Sequence, residues 1–89
     1  MLPLSWIVYI LECGDDTLYT GMTKDLDRRI VEHESGKGAK YTRGRGPLKI
    51  IYTECHNTMR QAAKREAEIK SLDRTAKLKL VSLAAQSQR

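Results

Sequence analysis

A chain of 89 residues is long enough for one small domain and too short for two, because domains usually need roughly 100 residues. Hydrophobic residues at 40% and charged residues at 30% exclude a disordered or fibrous chain. The formal net charge of +5 is concentrated: between Glu34 and Glu54 there is no acidic residue, while Lys37, Lys40, Arg43, Arg45 and Lys49 fall there and account for the whole excess. The opening MLPLSW has neither a basic segment nor a long apolar one, and no stretch reaches the roughly 18 apolar residues of a membrane span, so a cytoplasmic protein without membrane contact is expected.

Residues 6–13, WIVYILEC, are a β-branched and aromatic run closed by Gly14-Asp15-Asp16-Thr17 and followed by Leu18-Tyr19-Thr20-Gly21, which predicts a hairpin. An even-sum register would place the odd-numbered residues of both strands on one face, with Tyr9 and Tyr19 in direct or diagonal contact. Thr23 or Asp25 can cap a first helix over about 24–35, in which Leu26, Ile30 and His33 recur at helical spacing before the Ser35-Gly36 stop. The basic loop follows, and Pro47 introduces a third strand over Leu48–Thr53. Thr58 with Gln61 three residues on signals the start of a second helix, whose apolar face is expected to be Met59, Ala62, Ala63, Ile69 and Leu72. Residues 75–84 suggest a third helix, with the tail from Gln86 to Arg89 frayed. The order β-β-α-β-α-α predicts a single α+β domain, a small three-stranded mixed β-sheet flanked by helices, with its core between about residues 5 and 83.

The two cysteines, Cys13 and Cys55, lack any partner set at metal-ligand spacing and are expected to be reduced thiols. A Gly-rich segment that concentrates positive charge suits phosphate contacts, so nucleic acid is the expected partner; a basic loop that only aids solubility is the alternative. Arg29 and His33 lie four apart on one face of the first helix and could both enter a cleft, or could remain surface residues. Glu66 interrupts the apolar row of the second helix. A carboxylate there needs a partner, because an unpaired buried charge costs several kcal/mol. Arg29, Lys70 or another cation could supply it, and so could a hard divalent ion held by one carboxylate, phosphate oxygens and water, as is typical of magnesium.

Ile7-Val8-Tyr9, then Tyr19-Thr20-Gly21, the helix segment Lys24 to Ile30 with Arg29, His33, and Glu66 on a later helix together resemble the GIY-YIG nuclease family, over about residues 6–80. The chain is similar in particular to short stand-alone bacterial members of that family. The first element reads Ile-Val-Tyr for Gly-Ile-Tyr and the second Tyr-Thr-Gly for Tyr-Ile-Gly, with the tyrosines and the glycine kept. The resemblance implies a divalent-metal-dependent DNA endonuclease that hydrolyses a phosphodiester bond, directed by structure or damage in DNA repair or processing. It implies one Mg2+ or Mn2+ ion held by Glu66 and transition-state charge stabilised by Arg29. Tyr9 or Tyr19 would be the general base or orient the water, and His33 would handle protons or position the phosphate. Gly21 is expected to allow a close backbone approach, and Arg28, Lys37, Lys40, Arg43 and Arg45 to contact nucleic acid. Family nucleases usually join this domain to a separate recognition domain, for which 89 residues leave no space, so a helper protein or a homodimer is expected to direct it. The alternative function is a non-catalytic nucleic-acid-binding or adaptor module that retains the nuclease fold.

Overall fold

The computed structural model describes residues 5–37 and 42–87. The elements run β1 (Trp6–Glu12), β2 (Leu18–Thr23), α1 (Leu26–Glu34), β3 (Lys49–His56), α2 (Met59–Lys70) and α3 (Arg74–Ser87), the expected α+β order. The three strands pair in the order β2-β1-β3. Both pairings are antiparallel, so the sheet is not the mixed one that the sequence suggested. The hairpin makes β2 oppose β1, and the crossover through α1 returns β3 beside β1 and not beside β2. β2 and β3 therefore run in the same direction without touching, and a parallel pair would have required them to be neighbours.

The central position of β1 goes with its burial. Val8, Tyr9, Ile10 and Leu11 are all buried, which requires a neighbour on each edge and cover on each face. Strand alternation sends Val8 and Ile10 to one face, where they form the main core with Leu18, Ala62 and Ile69, flanked by Trp6, Met22, Ile51, Tyr52, Leu80 and Val81. Helices α2 and α3 thus cover that face. Tyr9 and Leu11 point to the other face, toward α1. On β3, Tyr52 opposes Ile10 and Ile50 opposes Leu11, so Ile51 is the extra residue of a bulge.

Helix α1 starts at Leu26, later than expected, because Asp25 keeps an extended backbone (φ −133°) and its carboxylate accepts from the Arg28 N–H at 3.1 Å. Helix α2 begins after Thr58, whose hydroxyl accepts from the Gln61 N–H at 3.1 Å, while Gln61 reaches back to the Asn57 N–H. Its buried face differs from the expected row. Ala62 and Ile69 are buried, whereas Met59, Ala63 and Leu72 are exposed, and the half-buried residues between are Arg65 and Glu66. The spacing 62, 65, 66, 69 is a narrow helical stripe, and its two polar members meet polar partners, not the apolar core. Helix α3 is longer than expected; Asp73 caps it by accepting from the Ala76 N–H at 2.8 Å, and it runs to Ser87, through the start of the tail expected to fray.

Arg65 fixes α2 to the sheet. Its Nε donates to Glu54 Oε1 at 2.8 Å; His56 Nε2 lies 2.8 Å from the same oxygen, and the Tyr52 hydroxyl donates to Glu54 Oε2. Burial alone would raise the Glu54 carboxyl, but these hydrogen bonds outweigh it and hold it below the ordinary range. Cys13 is buried and Cys55 exposed, both as free thiols. Among the described residues, no helix is long and apolar enough to cross a membrane.

Candidate active site

The register pairs Tyr9 with Gly21 and Leu11 with Tyr19, so the two tyrosines are diagonal neighbours on one face. Their ring centroids lie 6.3 Å apart. The Tyr9 phenol reaches over Gly21, where an added Cβ would stand 2.5 Å from its oxygen. Gly21 is therefore required by packing: no other residue leaves room for this phenol.

α1 delivers His33 to the same face, its ring centroid 5.2 Å from that of Tyr19 and 5.9 Å from that of Tyr9. His33 Nε2 is 2.9 Å from the Tyr9 oxygen, and Nδ1 is 2.8 Å from Thr42 Oγ1. Tyr9, His33 and Thr42 are each almost fully buried, so a continuous polar chain runs from β1 through α1 into the basic loop. Burial, the Tyr19 phenol and the acidic groups Glu66 and Glu32 raise the Tyr9 pKa above the ordinary phenol value, against the opposing pull of Arg29. Burial lowers the His33 pKa, and the Arg29 cation lowers it further. At neutral pH the phenol is therefore protonated and the imidazole neutral. A protonated Tyr9 donating to Nε2 leaves the ring proton on Nδ1, which then donates to Thr42.

Tyr19 is the more accessible phenol. Burial and Glu66 raise its pKa, and Arg29 lowers it. Arg29 and Glu66 thus act on the same phenols from two different helices. Neither is tightly held: Arg29 Nε is 3.7 Å from Glu32 Oε1, and Glu66 Oε1 is 3.7 Å from Lys70 Nζ, both looser than a hydrogen bond. Glu66 is half-buried, and the nearby cation that the sequence allowed for is Lys70. Among the described residues no three His, Cys, Asp or Glu side chains form a metal-binding group. A site here would have to rest on one carboxylate completed by water and phosphate oxygens. The half-exposed, loosely paired Glu66 fits a hard oxygen-seeking ion on those terms.

The residues expected to bind nucleic acid divide. Arg28 is exposed, with Glu32 at 3.7 Å, and Lys37 is exposed. Arg43 donates to the Gly36 carbonyl at 3.2 Å, which shapes the loop, while its side chain remains exposed. The Arg45 guanidinium is paired with Asp15 and ties the loop to the β1–β2 turn, where the Gly14 N–H also donates to the Arg45 carbonyl, and its side chain stays partly exposed. Lys40 lies outside the described residues. The member of this polar chain that the sequence did not point to is Thr42. A lone threonine in a basic loop carries no periodic or motif signal, and only the fold places it against His33.

The GIY-YIG catalytic-domain family model matches residues 5–79. A UPF0213 protein of Natronomonas pharaonis is 52% identical over 75 residues, covering 84% of this chain and 88% of the relative. A UPF0213 protein of Clostridium perfringens is 55% identical over 75 residues, covering 84% and 81%. The solution NMR structure of a UPF0213 protein from Bacillus halodurans superposes with a TM-score of 0.59 at 53% identity, covering 89% of this chain and 84% of that one. That of a protein from E. faecalis gives 0.62 at 38% identity, covering 91% and 88%.

Proposed function

Because the chain belongs to the GIY-YIG catalytic-domain family, we propose that it is a divalent-metal-dependent endonuclease that hydrolyses a phosphodiester bond of DNA, directed by strand structure or damage in repair or processing. The convergence of Tyr9, Tyr19, Arg29, His33 and Glu66 from β1, β2, α1 and α2 on one electrostatically coupled cluster supports this function. Five side chains from four elements, two of them loosely paired ions, suit a reaction in which charge develops on a phosphate.

In the reaction the oxygen of a water molecule bonds to phosphorus while the bond to one ester oxygen breaks, and that oxygen leaves with a proton. Tyr19, accessible and flanked by the Arg29 cation, orients the attacking water and accepts its hydrogen bond. Arg29 turns from its weak contact with Glu32 to the phosphate and binds two of its oxygens through the guanidinium fork. Tyr9 stays out of contact with the substrate. Its bond to His33, itself held by Thr42, fixes the imidazole beside the Tyr19 ring; with Nε2 accepting from Tyr9 and Nδ1 donating to Thr42, neutral His33 serves to position Tyr19 and the phosphate rather than as a base. Glu66 would hold a single Mg2+ or Mn2+ ion, which when bound polarises a phosphoryl oxygen and makes a water more acidic. Exposed Arg28, Lys37 and Arg43 give sequence-independent contacts to flanking phosphates. A helper protein or a second copy of the chain supplies the choice of target.

The test is a magnesium titration of cleavage on labelled duplex, flap, branched and single-stranded DNA, with Glu66→Ala and Arg29→Ala purified and run in parallel. Metal-dependent nicking that vanishes in both folded variants is the expected result. Undiminished cutting by both variants would refute the mechanism. Salt-dependent binding without cutting by any of the proteins would make the chain a binding module that retains the nuclease fold.

A further inference from the structure

β2 is one of the two edge strands of the sheet, and beside it lies a cleft of about 340 Å³ lined by Leu18, Tyr19, Thr20, Lys70 and Lys77. α2 contributes Lys70 from its last turn and α3 contributes Lys77 from its first, so two helices bring two ammonium groups to one wall of a cleft that has no acidic lining residue. Lys70 has only the 3.7 Å contact with Glu66, and Lys77 has no carboxylate within salt-bridge distance among the described residues. Burial lowers the Lys77 pKa and the nearby Lys70 charge lowers it further, as expected of two like charges that an anion would relieve.

The position of this cleft matters more than its charge. Tyr19 lines it, the Tyr19 ring packs on His33, and His33 bonds to Thr42, next to Arg43. Cationic side chains therefore stand at both ends of a short series of contacts that passes through the candidate site. The basic loop is the longer run of clustered charge in the sequence. Lys70 lies in a segment of mixed charge and Lys77 in the short basic run Arg74, Lys77, Lys79, and the fold brings the two together.

We propose that the cleft along β2 is a second phosphate subsite, in which Lys70 and Lys77 hold a backbone phosphate of bound DNA on the opposite side of Tyr19 from the basic loop. This rests on the reading of the chain as a DNA-acting domain and adds where the strand runs. The strand enters over Arg43, crosses Tyr19 and leaves between α2 and α3. Lys70 exchanges its loose contact with Glu66 for the phosphate, which clears the Glu66 carboxylate at the moment the substrate is in place.

The experiment measures binding without chemistry: fluorescence anisotropy of a labelled duplex of about 20 base pairs in EDTA, across roughly 50 to 300 mM salt. The Lys70→Gln/Lys77→Gln double variant is compared with wild type, with Lys70→Arg/Lys77→Arg, and with Lys64→Gln/Lys79→Gln, which removes the same charge from exposed positions outside the cleft. The expected result is a salt slope lower by about 2 and an affinity lower by roughly 10- to 100-fold in the first variant only. Thermal unfolding of each variant checks that the fold is retained. An unchanged slope in Lys70→Gln/Lys77→Gln would overturn the subsite. An equal loss in Lys64→Gln/Lys79→Gln, or no salt-sensitive binding by the wild-type protein, would do the same. Failure of the nuclease reading would appear separately, as no metal-dependent nicking by a protein whose binding still depends on Lys70 and Lys77.

Discussion

Replacing Gly21 by alanine probes the packing on which the candidate site depends. The new methyl would lie 2.5 Å from the Tyr9 hydroxyl oxygen, 2.7 Å from its Cζ and 3.0 Å from Tyr19 Cε2. Tyr9 is 1% exposed and packed in the central strand, so its ring has little room to retreat. Overpacking of this kind costs about 1–3 kcal/mol. Displacement of the phenol also breaks its 2.9 Å bond to His33, worth about 1 kcal/mol. The smaller entropy of an unfolded chain with alanine returns about 0.4–1 kcal/mol. The expected net loss is about 1–3.5 kcal/mol, or a melting temperature lower by roughly 5–25 °C for a domain of this size. Urea denaturation followed by the fluorescence of Trp6, the single tryptophan, measures it directly. Tyr9→Leu removes both of the nearest clashing atoms, so in that background Gly21→Ala should cost less than about 1 kcal/mol, a coupling of about 1–3 kcal/mol between the two positions. Additive losses, or a Gly21→Ala protein as stable as wild type, would refute this packing.

Thr20 occupies the middle position of the second tyrosine element, and its hydroxyl is buried without a hydrogen-bond partner among the described residues. Thr20→Val removes that hydroxyl at constant shape and should stabilise the fold by about 1 kcal/mol in denaturant titration; destabilisation would mean that the hydroxyl is satisfied. Thr42→Val, which strips His33 Nδ1 of its partner, should cost about 1–2 kcal/mol and reduce nicking in the same preparation; wild-type stability would remove Thr42 from the polar chain. The folded-state pKa of His33 lies below its unfolded value of about 6.5, so its contribution to stability is complete above that pH and is lost as pH falls below it toward the folded value. Denaturant midpoints between about pH 7.5 and 5 should therefore fall with pH, and His33→Gln should flatten the profile; that interval avoids Glu54, whose contribution is lost only below the ordinary carboxylate range. Arg65→Met leaves Glu54 half-buried without its guanidinium partner and should cost about 1–3 kcal/mol by the same measurement, with a negligible change excluding Arg65 as the anchor of α2.

The sequence by itself determined the features that depend on neighbours a few residues apart. Alternation and the Gly-Asp turn specified the hairpin, and the even-sum register that the structure adopts then puts Tyr9 and Tyr19 on one face; Thr58 specified where α2 begins, while Thr23 and Asp25 were both open as the cap of α1; helical spacing placed Glu66 on the inward stripe of α2. These are consequences of strand and helix periods and of capping hydrogen bonds, which act locally. The tertiary structure alone decided which strand lies at the centre, because β3 could in principle have paired with either edge of the hairpin, and burial of Val8 to Leu11 on both faces selected β1. It also decided which polar groups share a partner. Thr42 meets His33 across nine residues, Arg45 pairs with Asp15 thirty residues away, and Arg65 rather than an apolar side chain fills the stripe beside Glu66. Such pairings have no period to betray them: a buried donor takes whichever acceptor the packed chain brings within reach, because leaving it unpaired costs more than any local preference.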